Sequence, residues 1–268
     1  MQQSMTNRYR ILSWNVNGLH AIAGKEIWDG QNFPEFLIHD NPDICCLQET
    51  KVDAKSLPAE VSRIGNYFFY LNPAERKGYS GVGLYTRREP EEIKYGFGYS
   101  EFDHEGRVII GRYPEFTLYS VYFPNGGASD ERLGFKLRFY DAFLNHIKER
   151  NEAGDRIVVC GDLNTAHFPI DLARPKENSM VSGFLPIERE WLDRFIDAGF
   201  IDTFRLFKSD GDNYTWWDYK TKARSRNVGW RIDYFFVNER MRSHVLSSVI
   251  RSEVMGSDHC PVELVIQF

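Results

Sequence analysis

The chain lacks any uninterrupted apolar run near the ~18 residues that a membrane-spanning helix needs, so it reads as a protein without a membrane span. Its first stretch, Met1 to Arg10, is polar and has no apolar signal core. That argues against secretion and for a cytoplasmic protein. Cysteine is scarce, with 4 in 268 residues. Cys45, Cys46 and Cys160 sit in apolar runs and Cys260 lies between His259 and Pro261. No zinc spacing and no secreted disulfide framework emerges, and buried free thiols in a reducing compartment account for all of them. A glycine-rich loop followed by Lys-Ser/Thr is missing, which excludes nucleotide hydrolysis by that route. Linkers, low-complexity tracts and internal repeats are missing too. Residues 1–268 therefore read as one domain, with 1–8 as a disordered leader. Excess positive charge is also absent. The net charge is -5, which argues against indiscriminate nucleic-acid binding but leaves room for a local basic face.

What is present is a large apolar fraction, 42% hydrophobic residues, enough to bury a substantial core. Short β-rich runs alternate with a few helices, the pattern of a layered α/β fold. Strands are expected at Tyr9–Ser13, Asp43–Gln48, Gly81–Thr86, Arg107–Tyr113, Phe116–Tyr122, Arg156–Cys160, Tyr214–Tyr219, Ile232–Val237 and Val262–Gln267. Glu26–His39 is expected to be partly helical, with Pro34 marking a helix start. A longer helix begins at Ser129 or Asp130, either of which can cap it. Its apolar stripe is Leu133, Leu137, Tyr140, Leu144 and Ile147. Another helix spans Ile187 to Ala198 and stops at Gly199. Two sheets packed face to face with helices outside accommodate these elements; which strands pair is not readable.

Polar residues collect where apolar strands stop. Ile157 to Cys160 empties into Gly161-Asp162-Leu163-Asn164, placing a carboxylate and an amide at the C-terminal rim of a sheet, where ligands sit in layered α/β folds. A capped turn would use the same residues. The other strand ends shift the balance: Asn15 and Asn17 after the first strand, Glu49 after the second, then Tyr122 and Asn125. Asp233 opens a late strand, and Ser257-Asp258-His259 precedes the last one. Together they look like one site assembled from the rims of two sheets. Carboxylates and amide oxygens are hard ligands suited to Mg²⁺, and a histidine beside a carboxylate can move a proton or stabilise a phosphoryl oxygen.

These stretches resemble, in order, the motifs of the exonuclease III family of apurinic/apyrimidinic (AP) endonucleases. The residues concerned are Trp14-Asn15-Val16-Asn17-Gly18, Leu47-Gln48-Glu49-Thr50-Lys51, Gly78-Tyr79-Ser80-Gly81, Tyr122-Phe123-Pro124-Asn125, Gly161-Asp162-Leu163-Asn164, Asn227 to Tyr234 and Gly256-Ser257-Asp258-His259. The resemblance runs from about Arg10 to the C-terminus. It implies a four-layered α/β sandwich of the DNase I-like type and Mg²⁺-dependent hydrolysis, with Mn²⁺ able to substitute. The bond cut would be the phosphodiester 5′ to an abasic site in duplex DNA, leaving a 3′-hydroxyl and a 5′-deoxyribose phosphate, with some 3′–5′ exonuclease and 3′-phosphodiesterase activity. By the same resemblance Glu49 binds the metal with Asn17 and Asp258 close by. Asp162 orients or deprotonates the attacking water, and Asn15 and Asn164 hold water and phosphate, Asp162 and Asn164 lying near the metal as well. Tyr122 contacts the phosphate, and His259, supported by Asp233, stabilises charge developing on it.

The segment from Tyr214 to Asp233 separates DNA repair from other branches of the superfamily. Thr215-Trp216-Trp217 leads into Lys220, Lys222, Arg224, Arg226 and Arg231, and basic residues interleaved with aromatics suit phosphates flanking a pocket. The resemblance makes Trp216, Trp230 and Ile232 the walls for a flipped-out abasic sugar, which costs little to extrude. Tyr79, Asn125, Arg174, Lys176 and Asn178 are further DNA contacts on this reading. The chain departs from some relatives at His20, Ala128 and Val181, where they carry Arg, Arg and Asn, and it lacks the long N-terminal extension of animal members. A monomer is expected. A phosphatase or RNase on the same scaffold and a non-catalytic abasic-DNA binding module stay open as alternatives.

Overall fold

The computed structural model describes residues 7–268. One sheet takes strands β1 (Arg8–Asn15), β2 (Ile44–Gln48), β3 (Phe68–Asn72) and β4 (Val82–Thr86). The chain then builds a second sheet from β5 (Glu92–Tyr95), β6 (Val108–Arg112), β7 (Thr117–Tyr122), β8 (Ile157–Asp162) and β9 (Phe200–Asp202). A small ribbon, β10 (Trp216–Trp217) with β11 (Gly229–Trp230), stands apart. Strand β12 (Asp233–Asn238) joins the second sheet, and β13 (Val245–Ile250) with β14 (Val262–Gln267) returns to the first. The orders are β13-β14-β1-β2-β4-β3 and β5-β6-β7-β8-β12-β9.

Each sheet has one parallel pair at its centre, β1 with β2 and β7 with β8. Ile11, Cys46, Leu84, Leu118, Cys160, Phe235 and Leu264 pack between the sheets. The outer face of the second sheet is covered by helices Asp130–Glu152 and Pro186–Asp197, through Phe139, Phe143, Trp191 and Phe195. Helix Phe33–Asp40 covers the first sheet through Phe33, Phe36 and Leu37. The expected four-layered sandwich is what forms, because each sheet carries apolar side chains on both faces.

Local chemistry sets the helix starts. Asn32 accepts from the Glu35 amide and Glu35 answers at the Asn32 amide, a reciprocal cap with Pro34 inside the first turn. The Ser129 hydroxyl oxygen accepts from the Arg132 amide, a cap worth about 1 kcal/mol. The buried face of the long helix includes Phe135, Lys136, Phe139 and Phe143, which the expected stripe omitted.

Some expectations need correction. The leader does not extend to residue 8: Arg8 pairs with Gln267 and the Asn7 carbonyl accepts from the Phe268 amide. Residues 1–6 lie outside the described residues. Strand Tyr214–Tyr219 shrinks to Trp216–Trp217, because Asp218 caps a turn by accepting from the Lys220 amide and the Thr221 hydroxyl. All four cysteines are buried and free. Among the described residues no helix is long and apolar enough to cross a membrane.

Candidate active site

Register brings the polar strand ends to one rim. Asn15 stands beside Gln48 and so beside Glu49, while Tyr122 and Asp233 both flank Asp162. Because β14 runs antiparallel to β1, with Ser13 opposite Val262, the Ser257–His259 turn lands at the same end. Close packing demands a glycine before Asp162: a Cβ at Gly161, φ 139°, would lie 1.8 Å from the Val121 carbonyl oxygen. Asn17 and Asn164 adopt left-handed backbone, which asparagine tolerates. Glu49 does so too, at φ 56°. For a residue without that tolerance the conformation costs of order 1–3 kcal/mol.

One hydrogen-bonded network joins these groups. Asn15 donates from Nδ2 to Asp162 at 2.8 Å and to Glu49 at 3.1 Å, bridging the two sheets. The Asn164 amide donates to Asp162 Oδ1 at 2.7 Å, and Asn125 donates to Asn164 Oδ1 at 3.0 Å. On the other side Asn17 donates to Asp258 Oδ1 at 3.0 Å. His259 Nδ1 meets Asp233 Oδ2 at 2.8 Å, and its Nε2 points toward Asp162 Oδ2 at 3.8 Å. Burial opposes charge on this imidazole, but the carboxylates of Asp233 and then Asp162 outweigh it and push its pKa up to about 10. These neighbours favour the protonated ring. Burial, then the neighbouring Asp233, raises Asp162 to about 7, where a proton acceptor works best. Burial, with Glu49 and Asp162 nearby, holds the Tyr122 phenol well above its usual range, so it keeps its proton.

Two groups of side chains could hold a cation. Asp162, Asp233 and His259 bring ligand atoms within 4.8 Å of one another. In the structure His259 Nδ1 is taken up by Asp233, and the Asp162 oxygens accept from Asn15 and the Asn164 amide, so these groups form a hydrogen-bonded network. Glu49 Oε1 and Asn17 Oδ1 fit a hard cation better, with the Asp258 carboxylate alongside at 3.0 Å from Asn17 Nδ2. The Lys51 ammonium already sits between Glu49 Oε1, at 2.8 Å, and Asn17 Oδ1, at 2.5 Å, so these oxygens converge on a point that holds positive charge. Lys51 follows Glu49 closely in the chain, yet nothing in the sequence assigned its side chain to this spot.

The site opens into a cleft of about 410 Å³. It is lined by the polar residues Asn17, Glu49, Tyr122, Asn125, Asp162, Asn164, Asp258 and His259, and by Trp216, Trp230 and Ile232 together with Val181, Ser182 and Gly183. Trp216 stands edge-on to Trp230, ring centres 6.3 Å apart, and donates from its indole to Asp258 at 3.1 Å. Val181 was noted only as a departure from relatives, and Ser182 and Gly183 were not anticipated. A second cavity of about 440 Å³ adjoins and shares Tyr122 and Asn125. There the Tyr79 hydroxyl accepts from Arg107 at 3.0 Å and Arg132 at 2.9 Å. Arg107 was not anticipated; it also lies against the Tyr122 ring.

Other residues expected to meet DNA fall elsewhere. Arg174 and Lys176 are exposed on a turn outside the cleft, and Asn178 spends its amide N–H groups on the Ala173 and Arg174 carbonyls. Lys220 and Lys222 are exposed on the loop beyond β10. Arg224 is a correction: it donates to the carbonyls of Ser252, Val254 and Ser257 and stacks on Trp217, so it braces loops. Arg231 is buried against Asp171 and Asp202. An arginine among aromatics reads the same in sequence whether its partner is a phosphate or a distant carboxylate.

Fold and site are those of a hydrolytic nuclease, and known proteins agree. The chain belongs to the Endonuclease/Exonuclease/phosphatase family, whose sequence pattern it matches over residues 12–259. It is 42% identical over 258 residues to the exodeoxyribonuclease of Bacillus subtilis, covering 96% of this chain and 99% of the relative. It is 37% identical to the DNA-(apurinic or apyrimidinic site) endonuclease of Dictyostelium discoideum, over 97% of this chain and 71% of that one. The crystal structure of an AP endonuclease from Leishmania major superposes with a TM-score of 0.87 at 28% identity, over 97% of this chain and 88% of the other.

Proposed function

We propose that the protein is a DNA-repair AP endonuclease. It hydrolyses the phosphodiester 5′ to an abasic site in duplex DNA, leaving a 3′-hydroxyl and a 5′-deoxyribose phosphate, with accompanying 3′–5′ exonuclease and 3′-phosphodiesterase activity. One observation carries this reading: carboxylate, amide and imidazole groups line the same cleft as the rings of Trp216 and Trp230, so a phosphate and a base-free sugar have adjacent places in it. Extruding a nucleotide that lacks a base costs little stacking energy, which gives the selectivity.

Each group has a task. Asp162 takes the proton of the attacking water, held in place by Asn15 and Asn164. The His259 imidazolium, oriented by Asp233, stabilises charge growing on the phosphoryl oxygen. Tyr122 donates from its hydroxyl to the phosphate. Glu49, Asn17 and Asp258 would hold Mg²⁺, or Mn²⁺ in its place, with Asp162 and Asn164 adjacent. The bound metal would supply Lewis-acid polarisation of the phosphate and leaving oxygen. Trp216, Trp230 and Ile232 line the sugar; Tyr79, Asn125, Arg174, Lys176, Lys220 and Lys222 meet the backbone. The enzyme acts as a monomer in the compartment that holds the DNA.

The test is incision of a duplex with one tetrahydrofuran abasic analogue against the same duplex without it. Cutting at the analogue in Mg²⁺ and none in excess EDTA is expected; full activity in EDTA refutes the metal assignment. Glu49→Gln raises the Mg²⁺ concentration for half-maximal rate, and an unshifted metal titration would remove Glu49 from the metal site. For the two exposed lysines, Lys220→Ala/Lys222→Ala flattens a plot of log K against log salt by about one unit for each phosphate that a lysine neutralises. An identical slope would mean that these charges only face solvent.

A further inference from the structure

The long helix turns a charged side chain into the protein. Lys136 and Glu188, from helices Asp130–Glu152 and Pro186–Asp197, are paired at 2.6 Å with both side chains fully buried. The ammonium also donates to the Asn164 carbonyl at 2.7 Å and to Thr165 Oγ1 at 2.9 Å, so its three protons are all used. Glu188 accepts the Ser182 hydroxyl at 2.9 Å, the Gly183 amide at 2.6 Å and the Leu185 amide at 3.1 Å. One ion pair thus grips two loops, and both line the cleft. Gly183 lies under the aromatic wall: a Cβ there would come within 3.1 Å of the Trp230 ring.

Packing alone does not call for this arrangement. The Tyr140 ring centre lies 5.4 Å from the Lys136 ammonium, and the two helices otherwise bury apolar side chains such as Phe139 and Trp191; in such a place apolar side chains of equal volume often stabilise as well as an ion pair or better. What the charges add is direction, with hydrogen bonds aimed at backbone and hydroxyl groups of the cleft loops. We propose that Lys136 and Glu188 are positioning residues, fixing the Asn164 loop and the Ser182–Gly183 wall relative to each other and so setting the rate of the chemical step without touching DNA.

The kinetic part rests on the AP endonuclease reading; the structural part does not. Lys136→Met alone would strand a buried carboxylate, so the test variant is Lys136→Met/Glu188→Gln, with circular dichroism confirming the fold. Hydrogen exchange is expected to quicken in peptides covering 162–167 and 181–185 and nowhere else. Single-turnover cleavage of the tetrahydrofuran duplex should fall about a hundredfold, the scale of a small misplacement of reacting groups. Affinity for that duplex stays within about twofold of the parent if only placement is disturbed. Lys136→Arg restores donors and charge, and recovers most of the rate that Met loses. In an Asn164→Ala background, where one of the positioned groups is already gone, the same pair of substitutions should cost clearly less than in the parent, leaving only the share carried by the Ser182–Gly183 wall. Unchanged exchange in both peptides overturns the inference whatever the substrate. An equal rate loss in both backgrounds overturns it as well, because that is general loosening. A parent that fails to cut the duplex refutes the functional reading instead, and the exchange experiment still decides this one.

Discussion

Asp162→Asn is expected to slow single-turnover cleavage of an abasic duplex by about a hundredfold or more, since acid–base assistance is worth roughly 10²–10⁴. Asp162 is buried and receives a hydrogen bond on each oxygen, from the Asn164 amide and from Asn15. Both partners are donors, so an amide in place of the carboxylate turns an N–H₂ toward one of them. The variant therefore loses the proton acceptor and part of the geometry that holds it. Binding should survive, because removing a negative charge does not repel phosphates. The checks are the rate at saturating enzyme and Mg²⁺, the affinity for the duplex, and circular dichroism. If rate, affinity and fold fall together, Asp162 is a turn residue after all.

The second large effect is a pattern across mutants. His259→Ala and the Asp233→Ala/His259→Ala double variant should cleave at similar, severely reduced rates, while Asp233→Ala alone keeps a residual advantage over both. Asp233 Oδ2 lies 2.8 Å from His259 Nδ1, and Asp233 leads the groups that keep the ring protonated against burial. Without it the ring can turn or lose its proton, and cannot aim an N–H at the phosphate. Groups that act as a unit are non-additive. A double mutant slowed by the product of the single effects would show independent action and break the dyad.

The sequence made these residues legible because the central strands are buried on both faces. Ile157–Val159 and Ile44–Leu47 read as apolar runs, and a carboxylate at the end of such a run stands out. Edge strands gave no such signal: Phe68–Asn72, Glu92–Tyr95 and Val245–Ile250 are largely exposed or half-buried and were missed. Strand order was unreadable because it depends on non-local pairing, such as β1 with β14. Arg231 and Arg224 were misread for a related reason, since the partners that neutralise Arg231 lie far away in the chain, Asp171 at 60 positions. Lys136 was visible in principle. It shares the helical spacing of Tyr140, Phe143 and Ile147, and a lysine on a core face asks for a partner.

The account turns on a single reaction, internal incision at a base-free sugar. The most direct measurement offers the enzyme, with Mg²⁺, two 5′-labelled duplexes at equal concentration. One carries an internal tetrahydrofuran; the other is undamaged and ends in a 3′-phosphate. The account predicts that the one internal cut falls immediately 5′ to the analogue, leaving an extendable 3′-hydroxyl, with at most trimming from 3′ ends and no internal cut in the undamaged strand. Removal of the terminal phosphate with the internal analogue left intact would contradict it, and would make the site that of a 3′-end phosphatase.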